Sequence, residues 1–176
     1  MGMYKLCSMD LETLGTRPGD TILSIGACMF TIEGGVEATF YTTISQASSK
    51  EAGLRAQKST IEWWAKQSEV ARAAAFKGEE TLESALRGFS EWLPPDTLIY
   101  GNGANFDNAI LAAAYRAVKM EPPWKFWMDR CYRTLAAMFL DKNVPRVGTH
   151  HNALDDAKTQ ALRLIDMAKT HKFELK

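Results

Sequence analysis

Tyr4-Lys-Leu-Cys-Ser-Met-Asp-Leu-Glu-Thr-Leu-Gly15 is an apolar, strand-like run that delivers two carboxylates, Asp10 and Glu12, at its end. Side chains two apart on a strand share a face, so this pair projects together. Like charges held that close repel unless a cation sits between them, and hard divalent ions such as Mg²⁺ take oxygen ligands of this kind. A metal site is the first expectation. The blander one is that Asp-x-Glu marks the polar rim where a strand meets a turn, and chance supplies on the order of 0.6 such pairs in a chain of this length. The pair gains meaning only from what accompanies it.

Beyond it, Gly15-Thr-Arg-Pro-Gly-Asp20 reads as a turn, with Pro fixing φ and Gly supplying a positive one. Thr21 to Phe30 is a second apolar run, Glu33-Gly-Gly35 a hairpin turn, and Val36 to Ile44 a third strand with partial alternation. Strands joined by such short turns predict an antiparallel meander. Gln46 to Lys58 lacks clear periodicity and is expected to cover the sheet as irregular structure or a short helix.

Ser59-Thr-Ile-Glu62 has capping-box spacing and is expected to open one helical stretch through Trp63, Trp64 and Val70 towards Phe76. Adjacent residues lie about 100° apart around a helix, so Trp63 and Trp64 cannot both face the centre of one core stripe. An exposed Trp can stack on a base, although packing under a neighbouring loop is the commoner fate. Thr81 to Leu93 is an amphipathic helix closed by Pro94-Pro95. Thr97 to Tyr100 makes a short buried strand, followed by Gly101-Asn-Gly-Ala-Asn-Phe-Asp107 and an Ala-rich helix through Val118.

A further strand over Phe126 to Asp129 follows an aromatic loop, then a helix from Cys131 to Leu140. Strand, helix and strand predict a parallel α/β half appended to the meander. The loop from Asp141 to Thr149 carries Lys142 and Arg146 within range of a phosphate, although solvated charge is the default for such residues. The last helix runs from about Asn152 to Thr170 on a stripe of Leu154, Ala157, Ala161, Leu164, Ile165 and Ala168.

At 176 residues, 46% of them hydrophobic, the chain suits a single domain, 1–176, with one core. Neither an apolar stretch of about 18 residues nor a charged-apolar-small leader occurs at the N-terminus, which predicts a soluble, cytoplasmic protein. Cys7, Cys28 and Cys131 show no CxxC or Cys/His spacing and read as reduced core residues. Lys and Arg total 21 against 21 Asp and Glu, so no global positive field holds long tracts of duplex. Contact with nucleic acid must be local, as in a pocket that grips a few terminal nucleotides.

Two further acidic elements bear on the first pair. Asp107 shares a helix face with Ile110, Leu111 and Ala114, and a carboxylate facing inward is costly unless paired. N-capping is the bland explanation, but Asn105 caps equally well, which favours a functional Asp107. His150-His-Asn-Ala-Leu-Asp-Asp156 adds imidazoles and carboxylates at the start of the last helix. His150 with Asp155 and His151 with Asp156 have the same separation, and helical phase does not choose between them.

Asp-x-Glu on the first strand, Asp at the head of a mid-chain helix, then His and Asp opening the final helix: this order resembles the DEDDh exonucleases, the RNase T and DnaQ-like branch of the ribonuclease H superfamily. Met9-Asp-Leu-Glu-Thr-Leu-Gly15 looks like their first motif, Gly103-Ala-Asn-Phe-Asp107 their second, and His151-Asn-Ala-Leu-Asp-Asp-Ala157 their third. The pattern His-x-Ala-x-x-Asp-Ala favours His151 and Asp156. The small size, the strand after Gly15-Thr-Arg-Pro-Gly and the Trp63-Trp64 pair look most like the compact phage and bacterial group related to the exonuclease VIII C-terminal domain.

The resemblance implies an α/β, ribonuclease H-like mixed central sheet with antiparallel first strands, flanked by helices. It implies that Asp10, Glu12, Asp107 and Asp156 hold two divalent cations, Mg²⁺ with Mn²⁺ as substitute, and that His151 is the general base. Thr13 and Leu14 would contact the terminal nucleotide, Phe106 would flank the last base, and Trp63 and Trp64 are weaker candidates for substrate contact. The expected activity is 3′-5′ exonuclease hydrolysis from the 3′ end of single-stranded RNA or DNA, releasing nucleoside 5′-monophosphates. RNase T-type relatives are often homodimers, and a homodimer is carried over as an expectation. The alternatives are a catalytically inactive nucleic-acid-binding domain of the same fold and an endonuclease resembling ribonuclease H itself, which does not need the His-x-Ala-x-x-Asp element.

Overall fold

The computed structural model of the protein describes residues 5–139 and 144–176. Lys142, raised above as a phosphate contact, lies outside them. Five strands form one mixed sheet: β1 (Lys5–Thr13), β2 (Ile22–Thr31), β3 (Gly35–Thr43), β4 (Thr97–Gly101) and β5 (Asp129–Cys131). Their spatial order is β3-β2-β1-β4-β5. β1 to β3 are the expected antiparallel meander, while β4 pairs parallel to β1 and β5 parallel to β4. The apolar runs at β1, β2 and β4 reflect burial on both faces of the central strands.

Seven helices cover the sheet among the described residues: α1 (Gln46–Glu51), α2 (Lys58–Trp64), α3 (Glu69–Ala75), α4 (Leu82–Trp92), α5 (Ala109–Ala117), α6 (Tyr132–Phe139) and α7 (Ala153–His171). α7 lies across β1, β2 and β3, and its first turn approaches β2 so closely that a Cβ on Gly26 would stand 2.1 Å from the Ala153 carbonyl carbon. Gly26 pairs with Asp10 across the β1–β2 ladder, so the close approach falls level with the first carboxylate. An aromatic cluster of Phe40, Phe89, Trp92, Tyr115 and Trp124 fills the core around α4 and α5. No described helix is long and apolar enough to cross a membrane.

The stretch expected as one helix from Ser59 to Phe76 is two. Ser68 stops it, because its hydroxyl accepts from the Ala71 amide and caps α3. Nor does Ser59 cap α2, which begins a residue earlier after Gln57, with no side-chain cap. What fixes that start is the sheet: the Gln57 amide donates to Leu14 O at 2.7 Å and its Nε2 to Asp20 Oδ2 at 2.6 Å. Cys7 and Cys28 are core residues, whereas Cys131 is only half-buried because it ends the edge strand β5.

Candidate active site

Parallel pairing of β1 with β4 ends at Met9 and Gly101, so the residues after it, Asp10 and Glu12, leave the ladder on the β4 side. The Leu11 amide freed there donates to Asp107 Oδ1 at 3.0 Å. Asp107 belongs to a π-helical turn, Ala104–Asn108, between β4 and α5, and neither it nor Asn105 caps a helix there. Its neighbour Asn108 fastens the turn, donating through Nδ2 to Ile99 O and to Asp129 Oδ1. A register irregularity between Glu12 and Thr13 re-aims the end of β1 at the same place.

The third contribution comes from the start of α7. Asn152 is its N-cap, with Oδ1 accepting from the Leu154 and Asp155 amides at 3.1 Å each. Just before it, His151 is held at φ +61°, in the left-handed region that a side chain adopts at a cost. This conformation lets its amide donate to Asp156 Oδ2 at 3.2 Å. Asp156 Oδ1 makes no regular hydrogen bond but lies in ionic contact with the Arg146 guanidinium. Asp155 turns away to accept from the Thr149 amide at 2.8 Å.

All four acids are buried, Asp107 most completely at 1% exposed. Asp10, Glu12, His151 and Asp156 line one cleft of about 540 Å³ with Thr13, Trp63, Trp64 and Phe106, and Asp107 lies behind it. Ligand atoms of Glu12, His151 and Asp156 fall within 4.8 Å of one another. Burial drives the Asp107 carboxyl up to about 7 against the pull of its backbone hydrogen bonds. Burial and then the Asp107 charge push Glu12 up to about 8. Asp10 is raised for the same reasons, with Glu12 adding to them. Asp107 Oδ2 is buried with no partner among the described residues.

A cluster of acids that favours protons this strongly, with an orphaned carboxylate oxygen inside it, fits divalent cations, which supply the missing charge and take oxygen donors. His151 shifts the other way. Partial burial, the stacked His150 ring at 3.8 Å and Arg146 all lower its pKa, which keeps the imidazole neutral at pH 7.

The Trp63-Trp64 pair abuts this histidine edge-on, with ring centroids at 4.8 and 6.1 Å. Trp64 is 2% exposed, and its Nε1 donates to Thr13 O at 2.9 Å, so it packs beneath the first motif. Trp63 is 41% exposed and keeps a face towards the cleft. Leu14 is buried in the cluster with Trp64 and does not reach the cleft wall.

Among the cleft residues that escaped sequence reading are three that carry charge or contact a candidate ligand. Gln160 donates to Asp10 Oδ1 at 2.7 Å, and Arg163 and Arg133 line the cleft. Gln160 and Arg163 were findable, since positions four and seven beyond Asp156 share its helix face.

A mixed five-stranded sheet of this order, with helices on its faces, defines the ribonuclease H-like exonuclease fold. The sequence profile of the Rv2179c-like 3′-5′ exoribonuclease domain matches residues 5–166, and the chain belongs to that family. No individually curated protein sequence matches it. Cell-death related nuclease 4 (CRN-4) superposes with a TM-score of 0.64 at 11% identity, over 96% of this chain and 64% of that one. The nuclease domain of 3′hExo, a DEDDh family member bound to rAMP, gives 0.62 at 14% identity, over 96% and 94%. S. pombe Pop2p, in a Mg²⁺- and Mn²⁺-bound form, gives 0.57 at 16% identity, over 96% and 84%. These structures share the fold; family and fold together support a nuclease.

Proposed function

We propose that the protein is a metal-dependent 3′-5′ exonuclease that releases nucleoside 5′-monophosphates from the 3′ end of single-stranded nucleic acid. RNA is the substrate that the family description favours. Support comes above all from the convergence of Asp10, Glu12, His151 and Asp156, drawn from both ends of the chain, on one cleft, with mid-chain Asp107 directly behind it.

In this proposal the four acids hold two Mg²⁺, for which Mn²⁺ substitutes. Bound there, such ions would acidify a water and neutralise charge on the phosphate oxygens. His151, neutral at working pH, would take the proton of the attacking water on a ring nitrogen, and the two tryptophans hold the ring in place. Thr13 and Phe106, on the cleft wall, flank the terminal nucleotide, and Trp63 offers a ring for stacking. Leu14 and Trp64 act from behind by fixing the end of β1.

The test is degradation of 5′-labelled single-stranded RNA and DNA with Mg²⁺ or Mn²⁺. One-nucleotide steps from the 3′ end, abolished by chelator and absent on circular strands, are expected; cleavage of circles contradicts the proposal. His151→Ala should lower turnover about 10²–10⁴-fold, while His150→Ala keeps most of it. The reverse order would move the base to His150.

A further inference from the structure

We propose that Arg146 and Arg163 form a phosphate-binding pair at the mouth of the carboxylate cleft, with Arg146 held on Asp156 until a divalent cation releases it. This rests on the metal-dependent nuclease function proposed above.

Arg146 is not carried on a free loop. The Val147 amide donates to Thr159 Oγ1 at 3.1 Å, that hydroxyl also reaches Val147 O at 3.3 Å, and the Thr149 amide donates to Asp155. Gly148, at φ +67°, lies on the Asp155 carboxylate where a Cβ would meet Cγ at 2.2 Å. The segment is thereby fastened to α7, and its one arginine points inward to Asp156.

Arg163 comes from α7 itself, on the face that carries Asp156 and Gln160, and lines the same cleft as Arg146. Its Nε is buried and has no hydrogen-bond partner among the described residues. Both side chains line this one cleft, and after partial burial the Arg163 charge is the next cause that lowers the Arg146 pKa. Two guanidiniums facing one cleft call for an anion between them, and their forked donors match phosphate oxygens.

Asp156 plays that part for Arg146 while the cage is without metal. A cation bound to Asp156 would take the carboxylate away, leaving Arg146 without its ion-pair partner beside an unpartnered donor of Arg163. The phosphate of an incoming nucleotide then completes both. Arg146 thus competes with metal before substrate arrives and binds substrate afterwards.

Calorimetry of Mn²⁺ binding to the full chain, followed by binding of 5′-AMP and of adenosine in saturating Mn²⁺, tests both halves. Arg146→Gln is expected to bind Mn²⁺ about 2–5-fold more tightly, the scale of a partly exposed ion pair. The preference for 5′-AMP over adenosine is expected to fall about tenfold in Arg146→Gln and in Arg163→Gln, with adenosine binding unchanged and Arg146→Lys intermediate. Unchanged or weaker Mn²⁺ binding by Arg146→Gln, or an intact preference for 5′-AMP in either variant, overturns the proposal. Failure of the wild-type chain to bind Mn²⁺ overturns the metal-dependent function beneath it instead.

Discussion

A single methyl group at Gly26 is expected to dislocate the site. The added Cβ would stand 2.1 Å from Ala153 C and 2.2 Å from Leu154 N, and ordinary contact begins at 3.4 Å, a shortfall of about 1.3 Å. Both atoms are backbone, so no side-chain rotation relieves the clash. β2 cannot retreat, because Gly26 is paired to Asp10 on one side and Tyr41 on the other. The first turn of α7 must therefore lift by on the order of 1 Å, carrying His151 and Asp156 with it.

Overpacking of this kind costs about 1–3 kcal/mol, and a displacement near 1 Å costs about 10² in rate. Urea unfolding and oligonucleotide turnover measure the two effects on Gly26→Ala. Gly88→Ala is the control: its Cβ meets only the Phe40 ring, at 3.7 Å, within α4. Removing a mid-helix glycine there is expected to be neutral or stabilising by about 0.5–1 kcal/mol. Gly26→Ala retaining wild-type stability and turnover would refute the dependence of the site on this close approach.

Three further outcomes are expected. In chelator, stability should fall as pH rises from about 4 towards 8, because Glu12 keeps its proton in the folded chain to about 8 but releases it near 4.5 when unfolded. The full contribution is present below the unfolded value, the loss is on the order of 4 kcal/mol by pH 8, and saturating Mg²⁺ should reverse the trend; thermal melts in chelator that rise over this interval would exclude it. Asn152→Ala removes the acceptor shared by the Leu154 and Asp155 amides and should cost about 1 kcal/mol in urea unfolding, with Asn152→Asp restoring most of it. Trp64→Phe leaves the Thr13 carbonyl without its donor, and a loss of about 1–3 kcal/mol is expected from the same measurement.

The meander and the parallel half were legible because they rest on buried runs and turn chemistry, although the last strand begins at Asp129, after a 3-10 turn over Phe126–Met128, and not at Phe126; the five candidate site residues were singled out by three motifs in fixed order, with His151 preferred to His150 by resemblance alone. What stayed hidden depends on long-range contact. Ser59-Thr-Ile-Glu62 has the spacing of a capping box, yet the hydrogen bonds of Gln57 to Leu14 and Asp20 decide where α2 begins. Periodicity cannot register such tethers. Trp64 is distinguished from Trp63 by the Thr13 carbonyl and by its packing with Leu14, Leu23, Ala71 and Ala75, and Gln160 joins the site because the last helix crosses the first strand.

That crossing also explains how mutually repelling groups are held without collapse of the fold. Each of three acids is gripped through one oxygen by a donor from a different element: Asp10 by Gln160 of α7, Asp107 by the Leu11 amide of β1, Asp156 by the amide of His151. The grip fixes the direction of the second oxygen, which for Asp107 is buried without a partner among the described residues and for Asp156 meets Arg146. Such donors stabilise the ionised form only in part, since burial still raises Asp10, Glu12 and Asp107. The metal-free cluster is thus ordered in shape but deficient in positive charge. A divalent cation bound as proposed would have to displace protons and the Arg146 side chain, so its affinity is expected to rise with pH and on removal of this arginine.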